Sequence, residues 1–254
     1  MKTIFNKELT ILKSLKQKKF RNIHGLFIVE GIKPVFDMLN NHSEVFPEMI
    51  VLDENKIKIF ENETKIKSLD EIVYTTKQFD KLTDMENSEG ILSVYKIPKF
   101  VETVNSNHKK VLLLDEISDP GNMGTLIRTA AWFGIDLIVL FGNCTDIYSP
   151  KCVRSSMGQI FQVDFIKIDD AFVVSSLFES YHKIGTFLDL PVGNNKNKKI
   201  HKLLLMIGNE AHGLNQNFKE VIDENFLIEG SGKTESLNAT IAASICMYKF
   251  FSSR

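Results

Sequence analysis

Residues 225–250 read NFLIEGSGKTESLNATIAASICMYKF, and this stretch is the most informative part of the chain about its fold. A short apolar run breaks into a glycine-rich polar loop at 229–235, and the chain then enters a long apolar helix through Ser236, Leu237 and Asn238. A strand that runs into a glycine loop and then a helix is a common way to hold a nucleotide-like ligand, because backbone N–H groups and the helix N-terminus point at the ligand. The stretch therefore predicts a ligand site near the C-terminus.

The tripeptide Gly232-Lys233-Thr234 offers an alternative interpretation, a phosphate-binding P-loop. That motif requires a first glycine five residues before the second, and Leu227 occupies this position. The helix would also have to follow the Lys-Thr pair directly, whereas two further residues intervene. We therefore interpret Lys233 as a solvated loop lysine.

Composition places the chain among globular proteins with a substantial core. Its 254 residues are 43% hydrophobic and 25% charged, which fits one large domain or two ordinary ones. No apolar run approaches the ~20 residues that span a bilayer, and the N-terminus lacks the pattern of a secretory signal. The three cysteines have no CxxC spacing, so neither a disulfide framework nor a metal site is predicted. We expect a cytoplasmic protein with no membrane partner.

The N-terminal segment is basic although the whole chain has a net charge of −1. Against one glutamate, residues 1–25 carry Lys2, Lys7, Lys13, Lys16, Lys18, Lys19 and Arg21. Such an arm is suited to nucleic-acid phosphates. A solvated helix face explains the same charges equally well.

Strands alternate with helices in both halves of the chain. Residues 1–97 are predicted to form a small α/β unit with a largely parallel sheet. The polar stretch 98–109 has no helical or strand period and is interpreted as a linker. Residues 110–254 are predicted to form a second α/β domain of five or six strands, with ligands at the C-terminal ends of the strands.

Polar residues follow three of the predicted strands in this second domain. In the first loop, Asn122 stands at the start of a helix, where a plain helix cap is the alternative to a functional role. Arg128 lies on the same, otherwise apolar, helix, where a guanidinium suits a phosphate or carboxylate and a structural ion pair is the alternative. In the second loop, Glu210 is a candidate general base, arginine partner or helix cap, and His212 is interpreted as exposed and passive. Three carboxylates are interpreted as solvated turn residues and not as metal ligands: Asp115, Glu116 and Asp119.

Taken together, the three loops resemble the motifs of the SpoU (TrmH-like) RNA 2′-O-ribose methyltransferases of the SPOUT class. The segment NMGTLIR supplies Asn122, Gly124 and Arg128, MIGNEAHGLN supplies Gly208, Asn209, Glu210, Gly213 and Leu214, and LIEGSGKTESLNATIAAS supplies the third motif. The resemblance covers about residues 111–250. FRNIHGLFIVEGIKPV and NSEGILSV in the first half resemble the family's substrate-binding domain, a small module similar to ribosomal proteins.

This resemblance implies an α/β SPOUT domain with a parallel sheet and a deep trefoil knot, beside a smaller N-terminal α/β domain. It implies S-adenosylmethionine as cofactor, no metal, RNA as partner, and a homodimer with both active sites near the interface. The implied reaction is methyl transfer to a ribose 2′-hydroxyl in structured RNA, with ribosomal RNA favoured and transfer RNA as the alternative. A non-catalytic RNA-binding protein that retains the fold is a further alternative.

The implied site residues fall into two groups. Those of the catalytic group are Arg128, Asn122, Glu210, Ser236 and Asn238. Those that would contact the cofactor are Leu188, Gly208, Asn209, Gly213, Ile228, Gly232 and Leu237. The chain departs from the family pattern where Glu229-Gly230 replaces Pro-Met and where Ala211 replaces a glycine. The final helix, predicted over 237–251, is apolar nearly all round, which is typical of a core or dimer-interface helix.

Overall fold

The computed structural model describes residues 6–41, 44–60, 66, 69–192, 201–209, 211–231 and 237–252. The chain folds into two compact units. The first comprises Met1–Pro98 with Asp146–Phe161, and the second comprises Lys99–Thr145 with Gln162–Arg254. Residues 146–161, which the sequence pattern places in the second domain, therefore pack within the first unit.

Helices and strands alternate along the described chain. The helices are α1 (Asn6–Ser14), α2 (Lys18–His24), α3 (Ile32–Asn41), α4 (Thr76–Phe79), α5 (Pro120–Trp132), α6 (Pro150–Ser156), α7 (Ala171–Leu177) and α8 (Ala239–Phe251). The strands are β1 (Leu26–Glu30), β2 (Met49–Asp53), β3 (Glu71–Tyr74), β4 (Ile91–Lys96), β5 (Lys110–Asp115), β6 (Leu137–Phe141), β7 (Asp164–Ile168), β8 (His182–Gly185), β9 (Leu203–Ile207) and β10 (Glu224–Asn225). Short 3-10 helices cover Ile57–Phe60, Gln159–Phe161 and Gln216–Glu220. None of the described helices combines the length and apolarity that a membrane crossing requires.

The sheet of the first unit is mixed, so the prediction of a largely parallel sheet is wrong there. Its order is β1-β4-β2-β3, and β4 runs antiparallel to both of its neighbours, while only β2 and β3 are parallel. The connection from β3 to β4 contains α4, a single helical turn. The chain reverses direction within this connection and enters β4 antiparallel to β2.

Arg21 explains why residues 146–161 belong to the first unit. Its buried guanidinium donates two hydrogen bonds to the carboxylate of Asp146, at 3.2 Å from Nε and 2.5 Å from Nη2. On β1, the ring of Phe27 packs against Tyr148 and Phe161, with ring centroids 5.0 and 5.8 Å apart. Arg21 of the basic N-terminal segment is thus committed to a buried ion pair, which removes it from any RNA-facing surface.

The sheet of the second unit is parallel throughout, as predicted. Its order is β10-β8-β9-β5-β6-β7. All side chains of β6 and β9 are buried, and only Lys110 of β5 is partly exposed. Such continuous apolar strands are typical of a parallel sheet that is covered on both faces. The strand predicted over 184–190 ends earlier, at Gly185, and the residues after it leave the sheet.

Helices α5 and α8 lie side by side in the second unit, with their C-terminal ends at the same lysine. Each has 13 residues, and the Nζ of Lys110 donates to the carbonyl groups of Phe133 and Phe251 at their C-terminal ends, at 3.2 and 3.4 Å. The first turns of both helices therefore lie at the edge of the sheet where β5 ends. This is the edge at which parallel α/β sheets hold ligands.

Candidate functional site

A cavity of ≈ 680 Å³ opens beyond the C-terminal ends of β8, β9 and β10. Its walls come from the segment after β8, the end of β9 with the described residues that follow it, the segment after β10, and one side of α8. The described lining residues are Thr186, Phe187, Leu188, Asp189, Ile207, Gly208, Asn209, Ala211, His212, Gly213, Leu214, Gln216, Phe226, Leu227, Ile228, Glu229, Gly230, Leu237, Ala239, Ala242 and Cys246. This volume is in the range of sites for cofactors and other small ligands.

The wall after β9 folds back on itself. Asn209 and Gly213 exchange two backbone hydrogen bonds, at 3.0 and 2.9 Å. Gly213 has φ +69°, a conformation that glycine adopts without strain. A Cβ atom on Gly208 would lie 2.1 Å from the backbone of Gly213 and Leu214. The loop therefore requires glycine at 208 for this close approach and at 213 for its positive φ.

The same wall is attached to the turn that follows β5. Asp115 is 2% exposed, and its Oδ2 accepts the backbone N–H of Asn215 at 2.6 Å. The side chain of Asn209 donates to the carbonyl oxygen of Glu116 at 2.7 Å. Burial raises the pKa of the Asp115 carboxyl to about 6, because desolvation disfavours the charged form. The interpretation of Asp115 as a solvated turn residue is therefore wrong.

The wall after β8 is held by a buried asparagine. Asn225 of β10 accepts the N–H of Phe187 at 2.8 Å and donates to the carbonyl groups of Phe187 and Leu190, both at 3.0 Å. Lys219 forms an ion pair with Asp189 and thereby lowers the pKa of that carboxyl. These contacts fix residues 186–190 in a non-strand conformation beside the cavity.

The third wall leads into α8. Asn238 is the N-cap of this helix, and its Oδ1 accepts the N–H of Thr240 at 2.9 Å. Ala239, Ala242 and Cys246 of α8 line the cavity with small side chains. Burial raises the pKa of the Cys246 thiol to about 12, so it stays protonated and contributes an apolar surface.

The charges around the cavity favour a cationic ligand. Two carboxylates line it, that of Asp189, which is paired with Lys219, and that of Glu229. His212 lines it as well. None of the described lining residues is a lysine or an arginine. Among these described residues, a polyphosphate nucleotide would not find the cationic partners that phosphate recognition uses.

Asn122 and Arg128 lie on α5 and are not among the described lining residues. The N-cap of α5 is Asp119, whose Oδ1 accepts the N–H of Asn122 at 2.8 Å. The alternative of Asn122 as a plain helix cap is therefore wrong, and so is the interpretation of Asp119 as a solvated carboxylate. Arg128 is exposed and has no hydrogen bond or ion pair within the described part of the chain, in contrast to the alternative of a structural ion pair.

Arg128 lies about 9 Å along the helix axis from Asn122. Long side chains on a helix lean toward its N-terminus, which is the end of α5 nearest the strand ends. Trp132, four residues later on the same helix face, is 84% exposed. The face of α5 that carries Arg128 is thus solvent-exposed and partly aromatic.

The structure brings together six of the seven residues predicted to contact the cofactor. They are Leu188, Gly208, Asn209, Gly213, Ile228 and Leu237. Glu210, Gly232, Lys233 and Ser236 lie outside the described residues. Asp115 and Asn225 were missed as parts of the site. Asn225 had one signal in the sequence, since it is a polar residue that directly precedes the apolar run at 226–228.

Comparisons with known proteins agree with this geometry. A family model described as the SpoU rRNA Methylase family matches residues 109–248. A second, described as an MRM3-like substrate binding domain, matches residues 6–93. The 23S rRNA (guanosine(2553)-2′-O)-methyltransferase RlmP of Bacillus subtilis is 30% identical over 244 residues, which cover 96% of this chain and 95% of that protein.

Solved structures with the same fold include a SpoU methyltransferase and an rRNA methyltransferase. The methyltransferase AviRb of Streptomyces viridochromogenes, in complex with AdoMet, aligns with a TM-score of 0.81 and 22% identity over 96% of this chain and 97% of that chain. An AdoMet-bound rRNA methyltransferase of Sinorhizobium meliloti aligns with a TM-score of 0.80 and 23% identity over 98% of this chain and 95% of that chain. Together with the family match over more than half of its length, these findings make the chain a member of the SpoU rRNA methylase family.

Proposed function

We propose that this chain transfers a methyl group from S-adenosylmethionine to a ribose 2′-hydroxyl in ribosomal RNA. The observation that carries the proposal is the cavity at the ends of β8, β9 and β10, which is lined by the carboxylates of Asp189, paired with Lys219, and of Glu229, and by no described lysine or arginine. When bound, S-adenosylmethionine supplies an electrophilic methyl group on a positively charged sulfonium. The volume and the charges of the cavity fit this cationic nucleoside.

The three walls have different roles in holding the cofactor. Backbone groups near Leu188, Gly208, Ile228 and Leu237 are placed around the cavity, where they can accept and donate the hydrogen bonds of a nucleoside. Asn238 keeps the start of α8 ordered through its capping hydrogen bond. This arrangement lets loops of fixed geometry, rather than flexible side chains, position the ligand.

Arg128 acts on the RNA. Its exposed guanidinium has no partner within the described part of the chain, which leaves it available for a phosphate. In one role it holds the target phosphate and stabilises the developing alkoxide, and in the other it assists removal of the 2′-hydroxyl proton. Because an arginine side chain stays protonated in proteins, the first role is chemically the easier one. Asn122 orients the RNA or Arg128, and Glu210 and Ser236 order the catalytic loop.

The active form is a homodimer. One face of α8 carries three exposed apolar side chains, Ile241, Ile245 and Tyr248. The exposed Trp132 lies at the C-terminal end of the neighbouring helix α5. An exposed apolar face of this kind favours a protein partner. A second copy that covers it would bring Arg128, on the same face as Trp132, to the interface.

The C-terminal segment forms a trefoil knot, and the N-terminal domain holds the RNA. Support for the knot comes from the chain path: after the edge strand β10, α8 returns to pack on β9 and α5 at the centre of the sheet.

We assign RNA binding to residues 1–97, the catalytic domain to 110–254, and the linker to 98–109. On α1 and α2, Lys7, Lys13, Lys18 and Lys19 are exposed and available for phosphates. A cytoplasmic location stays a prediction.

Isothermal titration calorimetry with S-adenosylmethionine and with ATP tests the proposal. Binding of S-adenosylmethionine alone is the expected result. Binding of ATP alone would favour the P-loop alternative. Binding of neither would favour an RNA-binding protein that retains the fold without catalysis. Transfer RNA and ribosomal RNA are distinguished by which of them accepts the methyl group.

A further inference from the structure

The turn at residues 115–116 contacts the cavity-lining loop at both of that loop's ends. At the start of the loop, Asn209 donates from Nδ2 to the carbonyl oxygen of Glu116. At its end, the backbone N–H of Asn215 donates to the carboxylate of Asp115. Between these two points the Asn209–Gly213 backbone bridge closes the loop. The loop therefore has two attachments to one short segment of a neighbouring strand.

Asp115 is buried next to the loop and does not line the cavity. It is 2% exposed at the end of the central strand β5 and is not among the described lining residues. A hydrogen bond to a carboxylate is stronger than one between neutral groups, and removal of a buried acceptor leaves its donor unsatisfied. Asp115 thus contributes a strong attachment without occupying space that a ligand would use.

Both ends of the Asn209 side chain are engaged within the protein. While Nδ2 donates to Glu116, Oδ1 accepts the N–H of Ala211 at 2.7 Å. The amide is therefore used to shape the loop. Asn215 continues the attachment, because its Oδ1 accepts the N–H of Asn217 and caps the 3-10 helix Gln216–Glu220. Phe218 of that helix is fully buried against Phe141, with ring centroids 4.8 Å apart.

We infer that Asp115 is a positioning residue for the cofactor, which together with the Asn209 amide holds residues 209 and 211–215 in the conformation that binds S-adenosylmethionine. The inference rests on the proposed function, since it concerns the same cavity. Asp115 acts through the loop and touches neither cofactor nor RNA. Without its attachment the loop opens, and ordering it again reduces the free energy of binding.

The test compares Asp115→Ala with Asp115→Asn in the full-length chain. An asparagine retains an oxygen that can accept the N–H of Asn215, whereas alanine has none. Three quantities are measured: affinity for S-adenosylmethionine by calorimetry, amide hydrogen exchange of residues 209–215, and thermal unfolding. We expect Asp115→Ala to weaken binding about tenfold, the equivalent of one hydrogen bond to a charged group, and to accelerate exchange in the loop. Asp115→Asn, which keeps a neutral acceptor, should recover most of both.

Val174→Ala is the matched control for loss of stability. Val174 is a fully buried residue of α7 that is not among the described lining residues. Its truncation should lower the melting temperature and leave the affinity for S-adenosylmethionine unchanged. Equal affinity of wild type and Asp115→Ala would overturn the inference, and so would an equal loss of affinity in Val174→Ala. A wild-type protein that binds no S-adenosylmethionine would instead overturn the proposed function.

Asn209→Asp keeps the inference testable if Asp115→Ala does not fold. Aspartate retains the acceptor for Ala211 and loses the donor to Glu116. The added negative charge would by itself favour a cationic cofactor, so weaker binding reports the lost attachment. We expect weaker binding and faster exchange of residues 209–215. Unchanged binding and exchange in this variant would contradict the inference.

Discussion

Asn225 holds the backbone of Phe187 on both sides, accepting its N–H at 2.8 Å and donating to its carbonyl group at 3.0 Å. A third hydrogen bond reaches the carbonyl group of Leu190. Phe187 lies just beyond the end of β8, where the chain leaves the sheet to line the cavity. One buried amide on the edge strand therefore satisfies the polar backbone groups that an interrupted strand leaves unpaired.

Replacement of Asn225 by aspartate should destabilise the second unit strongly. The carboxylate would face the carbonyl oxygens of Phe187 and Leu190 without a proton to donate, in a site that is 5% exposed. We expect the free energy of unfolding to fall by about 3 kcal/mol or more, measured by urea denaturation. Asn217→Asp adds the same charge at an exposed position and should change the free energy of unfolding little. Equal stability of the two variants would contradict this account of Asn225.

Gly208→Ala should weaken cofactor binding through the backbone. Its Cβ would lie 2.1 Å from Gly213 and Leu214, so the loop must open. We expect affinity for S-adenosylmethionine to fall at least about tenfold, or about 1.4 kcal/mol, by calorimetry. Gly230 lines the same cavity and its added Cβ would meet no protein atom within 4 Å, so Gly230→Ala is the control. Retained affinity in Gly208→Ala would show that the loop tolerates opening.

Ionisation of Asp115 should make stability fall as pH rises. Burial raises its folded-state pKa from 3.8 to about 6, with a smaller contribution from the charge of Glu116. The stability contributed by the protonated form is fully present below pH 3.8 and lost as pH rises through 6. Because Asp115→Asn stays neutral, the difference in unfolding free energy between the variant and wild type should grow by on the order of 2 kcal/mol from pH 4.5 to 7.5. Urea denaturation at both pH values measures it, and a constant difference would contradict the burial argument.

The loops of the site were predictable from sequence because glycines that follow apolar strands mark sharp turns, as at Gly208 and Gly213. The family assignment made from the three motifs is confirmed by the family model over residues 109–248. The burial of Asp115 was not predictable, since it depends on Asn215, a hundred positions away in the chain. The ion pair of Arg21 with Asp146 is equally long-range. Local patterns report on turns and periodicity, whereas these contacts depend on the tertiary fold.

Tyr248→Asp should convert a dimer into a monomer. Tyr248 is 70% exposed on the apolar face of α8 that we assign to the interface, and a buried unpaired carboxylate there would disfavour association. Analytical ultracentrifugation should give twice the 28.9 kDa chain mass for wild type and the single mass for the variant. Phe172→Asp, at an exposed aromatic residue of α7, should remain dimeric. A dimeric Tyr248→Asp variant would place the interface elsewhere.

Arg128→Ala should abolish methyl transfer and leave the cofactor bound. Loss of one charged group at the reacting hydroxyl should reduce turnover about 10²–10³-fold, while the affinity for S-adenosylmethionine stays within about twofold because the residue is not among the described lining residues. Single-turnover transfer and calorimetry measure the two effects separately. Lys167→Ala removes an exposed charge on β7 and serves as the control. Unchanged turnover in Arg128→Ala would remove that residue from the mechanism.

Mapping of the transferred methyl group distinguishes 2′-O-methylation of ribosomal RNA from every other outcome. Ribosomal and transfer RNA from a strain that lacks this protein would be incubated with the purified chain and tritiated S-adenosylmethionine, and the labelled RNA then hydrolysed in alkali. A 2′-O-methyl group blocks cleavage at its own nucleotide, so the account predicts one alkali-resistant, labelled position in ribosomal RNA. Label on a base, or no transfer to RNA by a protein that binds the cofactor, would contradict it.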